Sequence, residues 1–341
     1  MCKKVVSFTE TGQNDISLKK SHMAVPIWKD KIIDLGEASI QFRIYDWDNA
    51  ISLYDGVAHA KPGEATAKVR INDICADYLV NALPTLTDRA FTALPVKRFG
   101  VQLRYPGQSW IPLTDVTFYN DWSYDYGATP SDLSCPINGR VDDRMFILFS
   151  GLDMTALSAS YHKTTGTSSS RSVTLPSNPA SGTGAFKANA LTNVDRITIK
   201  SRTYYLAGSC FKYALYYVNA YGGWDQFLIE GNDIEADAIT RYIREVEYDN
   251  TLIVNRGKDN YVNEVTKSWT LHSGLLTDDQ ASRMHHLLNS PLVYLCQIST
   301  GNMIPVIIKT DTCEYKTFSN QGNRMFDYTM QVEIAQNRIR R

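Results

Sequence analysis

The feature that most restricts the fold is a single amphipathic helix set among runs that read as strands. Thr277-Asp278-Asp279-Gln280 forms a capping box, in which the Thr277 hydroxyl accepts from the amide of Gln280 and the Gln280 side chain reaches back to the amide of Thr277. Asp278 and Asp279 suit the positive end of the helix dipole. Ala281, Met284, Leu287 and Leu288 then recur at three- and four-residue spacing, so one apolar stripe has to be covered. The helix is predicted over 277–289, and Ser290-Pro291 stops it. Residues 261–272, 292–299, 303–309 and 328–335 read as strands around it. Pro305 lacks a ladder donor, which predicts a sheet edge or a strand start at that point.

The rest of the chain repeats this sheet chemistry. Residues 39–45 alternate with period two, 101–105 precede a Pro106-Gly107 turn, and the apolar run 212–220 is broken by Tyr221-Gly222-Gly223-Trp224. A second helix is predicted over 73–83, capped by Asn72 and ended by Pro84, with Ile74, Cys75, Tyr78, Leu79 and Ala82 on one stripe. Twenty Tyr and six Trp favour pleated surfaces over helices. The expected fold class is therefore mainly β, built of β-sandwich or barrel modules with two short helices.

At 341 residues the chain exceeds the usual single domain. Three parts are expected: an N-terminal arm over 1–34, a β-rich domain over 35–205 with a Ser/Thr/Gly-rich projection at 163–184, and a C-terminal module over 206–341. The anchors Phe8, Ile16 and Trp28 in the arm, and the basic end Arg338, Arg340 and Arg341, are candidates for contact between subunits.

Catalytic signals are sparse. The 35 basic and 36 acidic residues balance, so neither nucleic acid nor an anionic membrane is expected as the main partner. No apolar stretch has the length to span a bilayer, and the start lacks a secretory segment, which points to synthesis in a cytoplasm. Six scattered cysteines make no Cys-x-x-Cys pair, and reduced, buried thiols are expected at Cys75, Cys210 and Cys296. Neither a Gly-x-Ser-x-Gly elbow nor a Gly-x-x-x-x-Gly-Lys loop is present. His285 and His286 are adjacent on the predicted helix, so their rings diverge by about 100° and one is expected to face the sheet. Asp115, Asp121, Asp125, Asp132, Asp142 and Asp143 read as turn acids, against the sharper readings of a calcium site or a glycosidase pair. No catalytic residue, metal or cofactor is expected. Trp110, Tyr119, Trp122, Tyr124 and Tyr126 could stack on sugar rings and are the candidates for glycan or partner contact; core or interface packing is the plainer reading.

Several motifs carry a resemblance. Asn219-Ala220-Tyr221-Gly222-Gly223-Trp224-Asp225, Glu230-Gly231-Asn232, Gly274-Leu275-Leu276-Thr277, Leu287-Leu288-Asn289-Ser290-Pro291-Leu292-Val293-Tyr294-Leu295, Ile304-Pro305-Val306-Ile307-Ile308 and residues 331–341 resemble structural proteins from the tails of phages and prophages of gut bacteria. The likeness covers about the last 130 residues and, more weakly, the helix near 72–83; the C-terminal strand–helix–hairpin plan is similar to the barrel unit of tail-tube and distal-tail ring proteins. It implies a virion component without catalysis, made in the host cytoplasm and forming a homo-oligomeric ring at the distal tube or baseplate, or an adaptor to fibres. Its implied partners are further copies and other tail or baseplate proteins, with DNA only as passing cargo and no membrane. Residues 35–205 exceed a minimal tube subunit, which puts the tube role in doubt and favours a distal, hub or adaptor one. A receptor- or carbohydrate-binding tail module is the alternative, and a polysaccharide or peptidoglycan hydrolase the third reading.

Overall fold

The computed structural model describes residues 25–27, 31–121, 132–245, 258–310, 325–335 and 338–340. The protein is mainly β, and it divides into two compact units, Met1–Leu79 with Val96–Tyr119, and Val80–Pro95 with Asn120–Arg341. The boundary expected at 205 thus lies inside the second unit.

In the first unit, β1 (Val25–Pro26), β3 (Ser39–Asp46), β4 (Ile51–His59), β7 (Lys97–Arg104) and β8 (Ile111–Tyr119) form a sheet in the order β1-β8-β7-β3-β4. A small ladder pairs β2 (Ile32–Asp34) with β5 (Lys68–Arg70). Period-two alternation turns Ile40, Phe42, Ile44, Phe99, Val101, Leu103, Val116 and Phe118 to one face, which Ile33, Leu35, Ile71, Cys75 and Leu79 cover. On the opposite face Gln41, Arg43, Gln102 and Arg104 keep contact with solvent.

Two expectations change here. Residues 25–27 and 31–34 are not part of a free arm: β1 pairs with β8, Ile27 is buried, and β2 is held by β5. The predicted helix over 73–83 is only α1, Asn72–Ala76, and Asn72 is not its cap. The Asn72 side chain instead donates to the carbonyl of Ile27 and accepts from the amide of Lys31 at 2.8 Å. Satisfying those long-range partners outweighs one end of a short helix.

The second unit is layered. One layer is the sheet β12-β11-β14-β15-β9, formed by β9 (Arg140–Val141), β11 (Leu157–Lys163), β12 (Ser168–Val173), β14 (Val194–Ile199) and β15 (Arg202–Leu206). The next contains β6 (Phe91–Ala93), β10 (Phe146–Met154) and β13 (Ala180–Lys187), with β13 in the middle. The third is an eight-stranded sheet of β16 (Tyr213–Val218), β17 (Trp224–Leu228), β18 (Asp233–Glu245), β19 (Lys258–Thr277), β20 (Val293–Gln297), β21 (Asn302–Ile308), β22 (Met325–Ile334) and β23 (Arg338–Arg340). Its path is β17-β16-β20-β21-β22-β19-β18, and β23 adds to β19. The helix pair α2 (Asp278–Ser282) and α3 (Met284–Leu288) packs on this sheet.

The pleat explains the continuous apolar run of β16. Tyr213, Leu215 and Tyr217 meet Met284 and Leu287 of the helix pair, whereas Ala214, Tyr216 and Val218 meet Met145, Leu148 and Ala185 of the middle layer. Both faces are covered, so alternation disappears from the sequence. The middle layer does the same: Ile147 and Phe149 turn to the outer sheet and Leu148 to β16 and β17.

The C-terminal plan holds with refinements. Both hydrogen bonds of the Thr277–Gln280 capping box form, but the helix is broken at Arg283 into α2 and α3. Pro305 lies in an inner strand between β20 and β22 rather than at an edge. Its carbonyl accepts from Ala335, just past the end of β22, so its missing donor points to where that ladder has run out. Residues 163–184 are not a projection. β12 pairs along β11, and β13 is buried at most positions because its small residues let Phe91 and Leu157 lie against it. Cys75 and Cys296 are buried as expected, but Cys210 is exposed.

Candidate functional site

Two places in the second unit could carry function: a buried polar knot that brings together possible catalytic groups, and a ribbon that leaves the core.

The knot is built by the motif around Gly222. At φ +80°, Gly222 turns the chain from β16 to β17, and a Cβ there would meet the Asn120 carbonyl oxygen. Asn219 holds the turn: its Oδ1 accepts from the amides of Tyr221 at 3.0 Å and Gly223 at 3.1 Å. Its Nδ2 donates to the Leu133 carbonyl and to Asp225 Oδ2, each at 2.7 Å. Asp225 Oδ2 also accepts from the amide of Cys135 at 2.8 Å. Burial raises the Asp225 carboxyl to about 7, against the opposing pull of these hydrogen bonds and of Arg202. Neighbouring side chains close the open edge of β10: Gln226 accepts from the amide of Leu148 at 3.0 Å and Ser134 from that of Ser150 at 2.8 Å.

The fold also brings Cys135 and His286 together, a pairing with no signal in the sequence because 150 residues separate them, with Sγ 3.7 Å from Nε2. A thiol activated by an imidazole base needs Nε2 free to take its proton. Here His286 Nδ1 accepts from the amide of Ala220 at 3.2 Å, so a neutral ring carries its hydrogen on Nε2 and donates toward the sulfur. Burial, with the charges of His285 and Arg283, lowers His286 to about 3, and burial raises the Cys135 thiol to about 11. Both shifts oppose a thiolate–imidazolium pair, so the contact is built to pack and to satisfy the turn. Next to it, Pro136–Gly139, Ser201–Thr203 and the start of α2 line an open polar cleft of about 280 Å³. Its two arginines are engaged, Arg202 with Asp132 at 3.2 Å and Arg283 with Asp279 at 2.6 Å. Among the described residues no three His, Cys, Asp or Glu side chains gather as metal ligands. His286 faces the core and His285 is half-exposed, but the rings do not diverge as expected: their centroids lie 4.0 Å apart.

The ribbon is the opposite kind of structure. β18 runs antiparallel to β19 from Asp233 opposite Leu271 to Glu245 opposite Lys258. From Glu235 onward every residue of β18 is exposed, including Ile239, Tyr242 and Ile243. Among the described residues β22 supports β19 over Ser268–Thr277, and β23 adds three residues farther out. Beyond them no described residue packs a layer on the two strands; such a pair is marginal in water, and its apolar side chains gain little until something covers them. Lys267 with Glu235, and Tyr242 with Glu264 at 3.2 Å, tie the strands across. Exposed pairs of this kind add little.

The expected contact residues fall in different places. Trp110 lies in the first unit, its ring 3.9 Å from the Arg43 guanidinium and 5.1 Å from that of Arg104. Tyr119 is only 1% exposed at the end of β8, which removes it from an open aromatic patch. Arg338 and Arg340 lie in β23, paired to Val265 and Asn263. Phe8, Ile16, Trp28, Trp122, Tyr124, Tyr126 and Arg341 lie outside the described residues. Sequence reasoning missed the ribbon: Ile239, Tyr242, Ile243 and Val246 fit helical spacing as well as a strand, and nothing local says whether a layer will cover them.

Compared with known proteins, the chain matches no family description, no curated protein and no solved structure. Among the described residues no helix is long and apolar enough to cross a membrane.

Proposed function

We propose that the protein is a structural component of a phage tail, assembling with copies of itself into a ring at the distal tube or baseplate, or joining tube to fibres. The observation that carries this reading is the ribbon. A strand exposed along Glu235–Glu245, with Ile239, Tyr242 and Ile243 in water, has its natural cover in a neighbouring subunit. Among the described residues no strand pairs with its outer edge, which can therefore take one from a neighbour. The partners are further copies and other tail or baseplate proteins, with DNA as passing cargo where the ring lines a channel, and the location is the virion tail. The resemblance in the C-terminal motifs supports the same reading, and the Cys135–His286 geometry argues against the hydrolase alternative at that pair.

The test compares the full chain with a variant in which residues 237–267 are replaced by Asn-Gly, joining Ala236 to Ser268, which already lie opposite each other. Light scattering and electron microscopy at rising concentration should find closed rings for the full chain and folded monomers for the variant. A full chain that stays monomeric, or a variant that assembles equally well, overturns the proposal.

A further inference from the structure

We propose that the open face of the five-stranded sheet in the first unit binds a saccharide chain that carries acidic sugars. This inference is independent of the ribbon and of the assembly it supports.

The face is set by the pleat. With Phe42, Ile44, Phe99, Val101 and Leu103 turned inward, Gln41, Arg43 and Tyr45 of β3 and Arg98, Gly100, Gln102 and Arg104 of β7 turn outward. Register pairs Gln41 with Arg104, Arg43 with Gln102 and Tyr45 with Gly100. Two tryptophans rest on this lattice. Trp47 lies across Gly100, where a Cβ would meet its Nε1 at 2.5 Å, and stays 42% exposed. Tyr45 meets the Trp47 ring edge-on at 5.7 Å, and the Arg98 guanidinium lies 5.0 Å from its centre. Trp110 is stacked by Arg43 and Arg104 as described. Trp47 lies over Gly100, whereas Trp110 stands beside Arg43, whose register partner Gln102 is two residues farther along β7, and beside Arg104, four residues farther, so the two rings stand roughly 7–13 Å apart along the sheet. Two such surfaces suit linked sugars better than a single small ring.

Sheet bracing alone does not account for these features. An exposed cation–π stack adds only about 0.5–1 kcal/mol, while a glycine inside a strand loses a comparable amount. Holding an exposed indole against Gly100 instead gives a preset apolar surface for the C–H face of a sugar. Around the rings stand donors and acceptors suited to hydroxyls: the Gln41 and Gln102 amides and the Asp55 and Asp115 carboxylates.

Charge selects the kind of saccharide. Arg98 is bonded to Asp115, and Arg43 lies 3.5 Å from Asp55. Arg104 donates to the Gln41 amide oxygen at 2.9 Å, and among the described residues no carboxylate pairs with it. One guanidinium beside Trp110 is thus left to meet a ligand carboxylate. The same count disfavours single-stranded nucleic acid: with Arg98 and Arg43 paired to Asp115 and Asp55, Arg104 alone is too little positive charge for a continuous phosphate backbone, and the whole chain carries a net charge of −1.

The experiment applies the full-length protein to an array of neutral and of uronic- or sialic-acid-bearing saccharides, then titrates the best binder by calorimetry alongside a thymidine oligonucleotide. Acidic chains should be retained in preference to neutral ones. Trp47→Ala and Trp110→Ala should each weaken binding roughly tenfold, and Arg104→Gln should weaken acidic chains while sparing their neutral counterparts. Should a tryptophan variant fail to fold, Gln102→Glu adds a carboxylate at an outward strand position and should weaken acidic chains by a similar factor. No acidic saccharide retained, binding indifferent to these substitutions, or tighter binding of the oligonucleotide would each overturn the assignment.

Discussion

One eight-stranded sheet carries two opposite solutions to the same problem. At one end, β16 and β17 are buried at every position, between a helix pair on one face and a second sheet on the other. At the other end, β18 is exposed from Glu235 to Glu245. Both end strands are paired on one side through antiparallel ladders, so strand pairing does not separate them. What differs is how much apolar surface leaves water, and that term sets how much each strand contributes to the stability of one isolated subunit. The buried end is the part that folds the unit. The open end has its stabilising contacts still to make.

The comparison can be broken first at its buried end. Phe227→Ala should destabilise the protein by about 3–5 kcal/mol, read as a lower urea midpoint, because the ring is fully enclosed by the helix-side core. A loss below about 1 kcal/mol would mean that β17 is not the structural centre of the unit.

A smaller effect concerns the proton on Asp225. Its carboxyl is raised to about 7 mainly by burial, so between the usual carboxylate range and that value the native state keeps a proton that the unfolded chain has released. This group's contribution to stability is therefore greatest at acid pH, falls as pH rises through that window, and levels off above it. Asp225→Asn removes the titration, and its stability relative to the natural protein should rise on the order of 3 kcal/mol between about pH 4 and about pH 8 in urea unfolding. Equal pH dependence in the two proteins would show that the knot holds a charged carboxylate.

The smallest effect sharpens the contrast from the open end. Ile239→Lys should change monomer stability by less than about 0.5 kcal/mol, since the side chain is exposed. The same change should prevent self-association in light scattering if this face of the ribbon meets a neighbour. A large fall in monomer stability would place Ile239 in a core of its own subunit.

Much of the architecture was legible along the chain because it depends on local spacing. The Thr277 capping box, the stripe Met284 and Leu287, the turn at Gly222 and the period-two strands all follow from residues a few positions apart. Other features depend on partners far along the chain. Asn72 looked like a cap until the carbonyl of Ile27 and the amide of Lys31 were brought to its side chain. The Ser/Thr/Gly-rich stretch looked like a loop, yet small residues are what an inner strand needs beside Phe91 and Leu157. Cys135 and His286 carried no signal at all, and only the hydrogen bond from Ala220 to Nδ1 defines what their contact can do.

The sequence alone therefore determined the class of structure, mainly β with a capped helix on a sheet, because periodicity and capping are short-range physics. The tertiary structure decided which strands would be enclosed and which left in water. It also decided where Trp47 and Trp110 would lie on the sheet. Those outcomes depend on which distant segments arrive to cover a face, and a strand's own residues do not encode what will stand beside it.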